Sequence, residues 1–226
     1  MTPTSTPQPV ALPIDPVMAA IRPTLHSLLA QITQSVGHKQ NHRVMFVSPE
    51  HGDGTSTLAT TTALTLVRQL RREVTLIEAN IYSPAIAAYL DLPASPGLLE
   101  YADGLVDAEN VVRSCRVRGL RVLTAGDCRT PEEGELGSDN LRSLISQAAK
   151  QQQFTVIDAP PLLEHPEACL LLDDVDEVLL VVRAGSTHAS AAKEAVKILE
   201  EAGVSASGVF LNRFQADLPF GMKASR

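Results

Sequence analysis

Residues 47–63, VSPEHGDGTSTLATTTA, have the residue types of a loop that binds phosphate. The stretch leaves an apolar run, passes Gly52 and Gly54, and continues through Ser56 into a segment with helical spacing. Because glycine reaches backbone angles that other residues cannot, these two glycines allow a nest of backbone N–H groups around a phosphate. Ser56 stands where a hydroxyl would coordinate magnesium, whereas Thr55 stands where such a loop has its lysine.

A second candidate is the carboxylate that ends the apolar run FTVIDAPP at Asp158. An aspartate at the end of a buried strand beside a phosphate loop is expected to hold magnesium or its bound water. The alternative is that Asp158 caps a turn before Pro160 and Pro161. The strand run and its partner loop favour the first interpretation, so we predict a magnesium site at Ser56 and Asp158.

Six apolar runs, with helical segments between them, must position these side chains. The runs cover 43–48, 73–79, 120–126, 154–160, 177–185 and 206–213. Apolar spacing predicts helices over 16–36, 55–71, 138–152, 166–173 and 189–202, with a loop-rich helical region up to about residue 112. Continuous Val, Ile and Leu runs separated by helices indicate parallel strands that are buried on both faces. The sequence therefore predicts an α/β fold with three layers, in which helices flank a mostly parallel sheet.

In such sheets ligands bind at the carboxyl ends of the strands, where helix N-termini present free N–H groups. Residues 47–63 lie at that location, directly after the first strand. The chain has 226 residues and is 44% hydrophobic, which favours one domain with a substantial core. We predict a disordered, proline-rich tail over 1–15, a single domain over 16–213 and a short C-terminal tail over 214–226.

The net charge of −7 excludes nucleic acid as the expected main partner and gives no reason to expect an anionic membrane, although a local basic patch remains compatible with it. No apolar run approaches the roughly 18 residues that span a bilayer, so we expect a cytoplasmic protein. Three widely separated cysteines fit free thiols better than disulfides or zinc.

Seven segments occur in the order and spacing of one known family. They are VSPEHGDGTST, VTLIEANIYSPAI, PGLLEY, LRVLTAGDCRTPEEGELGS, FTVIDAPPLLEHPEA, DEVLLVVRAGSTH and ASGVFLNR. In these the chain resembles the cytoplasmic domain of bacterial tyrosine kinases, and more distantly the ParA and MinD branch of P-loop ATPases. The resemblance runs from about residue 16 to residue 213 and implies a P-loop NTPase fold.

The resemblance also implies ligands and partners. It implies ATP or ADP with magnesium, autophosphorylation of a C-terminal tyrosine cluster, and a ring-like homo-oligomer. It further implies work with an inner-membrane polysaccharide co-polymerase in capsule or exopolysaccharide export, with the protein held at the membrane through that partner. In the related ATPases an Asn followed by a basic residue meets the adenine edge, and Asn212 and Arg213 look similar. The predicted nucleotide-binding residues are then Gly52, Asp53, Gly54, Thr55, Ser56, Thr57, Asn212 and Arg213.

The chain departs from the family pattern in its chemistry. The family's phosphate loop ends in Gly-Lys-Ser/Thr, but Thr55 replaces the lysine. The family's second acidic motif has two aspartates one residue apart, followed by an arginine. The matching positions here look like Glu78 and Asn80, followed by Tyr82 or Ser83.

Two further departures concern assembly and the phosphate acceptor. In the family's oligomerisation helix, Glu-x-x-Arg-x-x-Arg, Arg22 is the one residue that matches here. The tail over 214–226 contains no tyrosine, because the three tyrosines all lie inside the domain. They are Tyr82, Tyr89 and Tyr101.

Three hypotheses follow. The first is an inactive, pseudokinase-like module that regulates polysaccharide export by assembly, with nucleotide binding weak or lost. The second is a low-affinity ATP or ADP switch. The third is an active ATPase or tyrosine kinase with a replacement cation. Arg71 and Arg72 could supply that cation, but they are expected at the far end of the helix that follows the loop. The missing lysine, the altered acidic motif and the tail without tyrosine count against the third hypothesis, and we rank the three in the order given.

Overall fold

The structure is a computed structural model, and it describes residues 11–35, 41–127, 129–150 and 152–213. Its helices are α1 (Asp15–Ser35), α2 (Thr55–Arg68), α3 (Ile86–Tyr89), α4 (Leu98–Ala102), α5 (Ala108–Val111), α6 (Asp139–Ala149) and α7 (Ala189–Glu201). Its strands are β1 (His42–Val47), β2 (Val74–Glu78), β3 (Val112–Ser114), β4 (Leu120–Leu123), β5 (Phe154–Asp158), β6 (Glu177–Arg183) and β7 (Gly208–Asn212). Two 3-10 helices cover Glu135–Gly137 and Pro166–Asp174.

The seven strands form one sheet in the order β3-β4-β2-β5-β1-β6-β7. Every neighbouring pair is parallel except β3 with β4, which is antiparallel. All six predicted strands are present. The sequence did not predict β3, because its three residues, VRS, carry no apolar run.

Buried side chains cover both faces of the sheet, so the predicted three-layer α/β arrangement is confirmed. One face packs against α1, α2 and α3, and its core includes Leu25, Leu64 and Phe46. The other packs against α4, α6 and α7, and its core includes Met45 and Leu144. Alternate residues of β1 belong to opposite cores, as expected for a strand covered on both sides.

Helix α2 is buried along almost its whole length although it contains six threonines. The hydroxyls of Thr60, Thr61 and Thr65 donate to the backbone carbonyl four residues earlier, at 2.7, 2.8 and 2.7 Å. These bonds satisfy polar groups that burial would otherwise leave without partners. At its far end, Arg68 forms an ion pair with Asp15 that joins α2 to α1.

Several predicted boundaries differ from the structure. The N-terminal tail was predicted to reach residue 15, but Leu12 and Ile14 are buried in the core and the Leu12 N–H donates to Asp15, which begins α1. Residues 1–10 and the predicted tail over 214–226 lie outside the described residues. Helix α2 ends at Arg68 rather than at 71, and the helix predicted over 166–173 is a 3-10 helix. Among the described residues, no helix combines the length and apolar character that crossing a membrane requires.

Candidate nucleotide site

The predicted phosphate loop joins β1 to α2 at the carboxyl edge of the parallel strands. Beside it lies a cavity of about 270 Å³, between the loop and the segments that follow β2 and β5. Its lining includes Ser48, Gly52, Gly54, Ser56 and Asn80. The structure therefore places much of the predicted phosphate-binding stretch around one open space.

Both loop glycines have backbone angles that favour glycine. Gly52 has a φ of +84° and Gly54 a φ of +98°, in the left-handed region. A side chain at Gly52 would meet nothing within 4 Å, whereas a Cβ at Gly54 would overlap the amide of Asn212. Gly54 is therefore required for two reasons, its backbone angle and the close approach of Asn212.

A hydrogen-bonded chain centred on Asp53 holds the loop in place. The buried Asp53 carboxylate accepts from the Thr187 hydroxyl at 2.5 Å, and that hydroxyl in turn accepts from the Arg183 N–H at 3.0 Å. The Asn212 amide donates to the Asp53 carbonyl at 2.7 Å. Asp53 and Asn212, both predicted to touch nucleotide, thus tie the loop to the ends of β6 and β7.

Asp158 ends β5 next to the loop with its side chain fully buried. Neither carboxylate oxygen makes a hydrogen bond of ordinary geometry to a residue that the structure describes. Burial raises the pKa of this carboxyl well above its ordinary value; the Ser56 hydroxyl opposes the rise and the charge of Glu78 adds to it. A buried carboxylate without a partner is costly, so the group either holds a proton or requires a cation.

Glu78 ends the neighbouring strand β2, but its carboxylate is committed to the backbone. One oxygen accepts from the N–H groups of Ala85 and Ile86, both at 2.6 Å, and the other accepts from the N–H of Ala125 at 3.1 Å. Burial raises the pKa of Glu78, and these three bonds oppose the rise. The carboxylate joins the end of β2 to α3 and to the residues after β4.

Asn80, the second position of the predicted degenerate acidic motif, also makes local bonds. Its backbone N–H donates to the Asp158 carbonyl at 3.0 Å, and its side-chain oxygen accepts from the Ser83 N–H at 3.2 Å. The two side chains that we expect in place of the family's aspartates, Glu78 and Asn80, therefore hold loops.

The remaining predicted residues lie in or beside the first turn of α2. Thr55, at the lysine position, is the first residue of α2 and is 6% exposed. Thr57 shares a hydrogen bond with the Tyr89 hydroxyl at 3.1 Å. Arg213 lines the cavity from the other side and has a left-handed φ of +54°.

Basic side chains are scarce at this edge. Among the described residues that line the cavity, His51 and Arg213 are the basic ones. Arg71 and Arg72 follow the C-terminal end of α2, on the other side of the molecule from the loop, as predicted. Arg22 lies in α1, of which the structure describes only the backbone at that position. The described residues contain no group of three or more side chains arranged to hold a metal ion.

Comparison with known proteins places this site in a family, although no family model matches the chain. Tyrosine-protein kinase ptk of Acinetobacter johnsonii is 26% identical over 192 residues, which are 85% of this chain and 26% of that protein. The crystal structure of the VpsO kinase domain is 30% identical with a TM-score of 0.70, and the match covers 86% of this chain and 99% of that domain. The chain belongs to the bacterial tyrosine kinase family. The resemblance inferred from the seven segments is thereby confirmed.

More distant structures share the fold of this kinase family. The septum site-determining protein MinD from Pyrococcus horikoshii, solved in complex with Mg-ADP, is 20% identical with a TM-score of 0.61 over 76% of this chain. This likeness confirms the P-loop fold. The chain spans about a quarter of the length of the first curated kinases that it matches.

Sequence reasoning missed Thr187, Glu164 and the real partners of Glu78. Thr187 lies 134 positions from Asp53, and Glu164 accepts the His51 N–H from 113 positions away. No local spacing connects such pairs. The sequence did offer one indication: Thr187 and Glu164 each follow a predicted strand, which places both at the carboxyl edge of the sheet.

Proposed function

We propose that this chain is a catalytically inactive member of the bacterial tyrosine kinase family that acts by assembly. Its expected partner is an inner-membrane polysaccharide co-polymerase of exopolysaccharide or capsule export, the partner that the family resemblance implies. The observation that carries the proposal is Thr55, a short neutral side chain at the start of α2 where the phosphate loop of the family has a lysine.

The effect of replacing this lysine on the affinity for nucleotide can be estimated. A charge-assisted hydrogen bond to phosphate contributes about 1.5–3 kcal/mol net, which corresponds to about a ten- to hundredfold change in affinity. The loss is larger in the transition state of phosphoryl transfer, where charge moves onto the transferred group. Arg213 is a poor substitute because it is exposed and begins the segment after β7 rather than following the loop glycines.

The acidic positions support the same proposal. A kinase needs carboxylates that are free to bind magnesium and to accept the proton of the attacking hydroxyl. Glu78 instead accepts three backbone N–H bonds, and Asn80 has no charge. Asp158 differs from both, since its carboxylate oxygens make no hydrogen bond of ordinary geometry within the described part of the chain.

The residues present fit a magnesium nucleotide only in part. The loop glycines and the N-terminus of α2 would receive the phosphates, and Ser56 and Asp158 would hold the magnesium. The ion would supply charge neutralisation for the phosphates and for Asp158. The Thr55 side chain would supply no positive charge, so we infer weak binding of ATP or ADP.

The tyrosines inside the domain are poor acceptors of phosphate. Tyr82 stacks on His165 with ring centroids 3.6 Å apart and donates to Glu167 at 2.7 Å. Burial and the neighbouring Glu167 raise the pKa of the Tyr82 hydroxyl. Tyr89 shares its hydroxyl with Thr57, and the Tyr101 hydroxyl donates to Asn140 at 3.4 Å.

A phosphorylation assay tests the proposal. Purified chain incubated with Mg-ATP should form no phosphotyrosine and release no ADP above the level of buffer. The matched control is the triple variant Thr55→Lys, Glu78→Asp, Asn80→Asp, which restores the lysine and the two aspartates of the family pattern. Phosphotyrosine on the unaltered chain that disappears in Asp158→Asn would refute the proposal and establish an active kinase.

A second function, a low-affinity nucleotide switch, is favoured by one observation. The loop is already in a conformation that can receive phosphate, with both glycines at left-handed angles and the Asp53 bonds holding it. A chain that had lost all nucleotide binding would have no need for this conformation. The switch predicts that ADP changes the assembly state of the protein, whereas the first proposal predicts the same assembly with and without ADP.

A further inference from the structure

A group of arginines lies at the amino-terminal edge of β2 and β4, on the side of the sheet away from the phosphate loop. We call it the basic rim; it consists of Arg71, Arg72, Arg116, Arg118 and Arg121. The first two precede β2 and the others flank the start of β4. A backbone bond of 2.9 Å from Val74 to the Gly119 carbonyl holds the two segments side by side. The fold thus gathers basic residues from two separate parts of an acidic chain.

A shallow cavity of about 410 Å³ opens among these residues. Arg116, Arg118 and Arg121 line it together with Glu73 and Gln152. It is open to solvent and arginine side chains line it, unlike the enclosed pockets that hold small hydrophobic ligands. Its size and its arginines suit phosphate groups approaching from outside.

Three of the five arginines lack an ionic partner in the part of the chain that the structure describes. Arg71, Arg72 and Arg118 are exposed, and none of them forms an ion pair with a residue that the structure describes. Unpaired arginines kept together repel one another, so their clustering lowers stability unless an anion neutralises them.

The other two arginines do have partners. Arg116 pairs with Asp91 at 3.0 Å, but both side chains are more than 60% exposed, and such pairs contribute little. Arg121 donates to the Val112 carbonyl at 3.3 Å. Among the described residues, Glu73 lines the same cavity and Asp91 is the ionic partner of Arg116.

Acidic side chains occupy another part of this edge. At the start of β6, Asp176 and Glu177 lie beside the buried His42, whose Nε2 is 2.9 Å from a Glu177 oxygen. The acidic chain therefore carries a local basic surface at β2 and β4. The net charge of −7, which is a sum over the whole chain, gives no indication of this surface.

Leu70 identifies the class of anion. It immediately precedes Arg71 and is 42% exposed, although it is a large apolar side chain. An exposed leucine beside clustered arginines matches a lipid surface, where the apolar side chain enters the headgroup region and guanidinium groups pair with phosphates. An acidic peptide would account for the arginines but not for the leucine.

We propose that the basic rim, together with Leu70, docks this protein on an anionic membrane surface. Clustered basic residues bind such surfaces because each one near the bilayer meets a negative potential. In this orientation the phosphate loop, on the opposite edge of the sheet, faces away from the lipid. The proposal does not depend on the nucleotide site or on the co-polymerase.

The test is sedimentation of the full chain with vesicles of phosphatidylglycerol and phosphatidylcholine, compared with phosphatidylcholine alone. We expect binding only to the anionic vesicles, and weaker binding as salt is raised. Arg72→Gln with Arg118→Gln should weaken binding about 25-fold at low salt, since each charge near the surface is worth about fivefold. The matched control is Lys193→Gln with Lys197→Gln, which removes two exposed charges from α7 and should change binding by less than about threefold.

Circular dichroism of each variant establishes that it is folded, and Leu70→Ser tests the apolar contact separately. The proposal predicts weaker vesicle binding for Leu70→Ser with unchanged stability. It is overturned if the chain does not bind anionic vesicles at low salt. It is also overturned if Lys193→Gln with Lys197→Gln weakens binding as much as Arg72→Gln with Arg118→Gln does. Binding to a polyglutamate peptide without binding to vesicles would likewise overturn it and would indicate an acidic protein partner.

Discussion

At the scale of residues, the loop glycines differ in what they require. Gly54→Ala places a Cβ against the Asn212 amide and also strains a φ of +98°, whereas Gly52→Ala only strains a φ of +84° in open space. A left-handed angle costs a residue with a side chain about 1–2 kcal/mol. We expect Gly54→Ala to lower the free energy of unfolding by about 1 kcal/mol more than Gly52→Ala, because the Asn212 bond to Asp53 is also lost. Urea denaturation measures both; equal losses would show that the Asn212 contact carries no energy.

Asp158 should make stability depend on pH in an unusual direction. Its pKa in the folded chain is raised above 3.8, the value it has when solvated, so the folded state holds the proton more tightly. Stability contributed by the protonated group is complete below that value and is lost as pH rises towards the folded pKa. Asp158→Asn cannot ionise, so its free energy of unfolding relative to that of the unaltered chain should be greater at pH 8 than at pH 5. Urea denaturation at the two pH values checks this, and a gain that is the same at both would contradict a raised pKa.

At the scale of elements, Glu78 joins three parts of the fold. Its carboxylate accepts N–H bonds from the start of α3 and from Ala125, which lies two residues after the end of β4. Glu78→Gln would replace one accepting oxygen with an NH₂ group that faces N–H donors, and we expect a loss of about 1–3 kcal/mol in unfolding free energy. Glu73→Gln is the matched control, since Glu73 is exposed and its loss should stay within about 0.5 kcal/mol. A loss for Glu78→Gln no larger than that of the control would mean that these bonds do not hold the elements together.

The sequence predicted the elements well where patterning is local. Apolar runs located six strands and therefore the carboxyl edge that gathers Gly52, Ser56 and Asp158. Strand β3 was not predicted because it is short and polar. The burial of Leu12 in the core was not predicted either, because five prolines dominate the sequence around it. The network that joins Asp53 to Thr187 and Asn212 could not be predicted, since it depends on contacts between residues more than 130 positions apart.

At the scale of the whole molecule, the net charge does not reveal how the basic residues are distributed. A net charge of −7 argued against an anionic membrane, yet the fold brings five arginines to one edge of the sheet and the phosphate loop to the other. Parallel strands cause this separation, because all of their carboxyl ends meet at one edge and their amino ends at the opposite one. The two proposals therefore concern opposite edges of the sheet: the phosphate loop for a nucleotide and the basic rim for lipid headgroups.

The central claim is that Thr55 leaves a shaped phosphate loop without the charge that a kinase needs. Calorimetric titration of Mg-ADP into the unaltered chain and into Thr55→Lys tests it most directly. The account predicts weak binding by the unaltered chain and binding about ten- to a hundredfold tighter by Thr55→Lys, since the loop glycines, Ser56 and Asp158 are already in place. Tight binding by the unaltered chain, with no gain in Thr55→Lys, would contradict it.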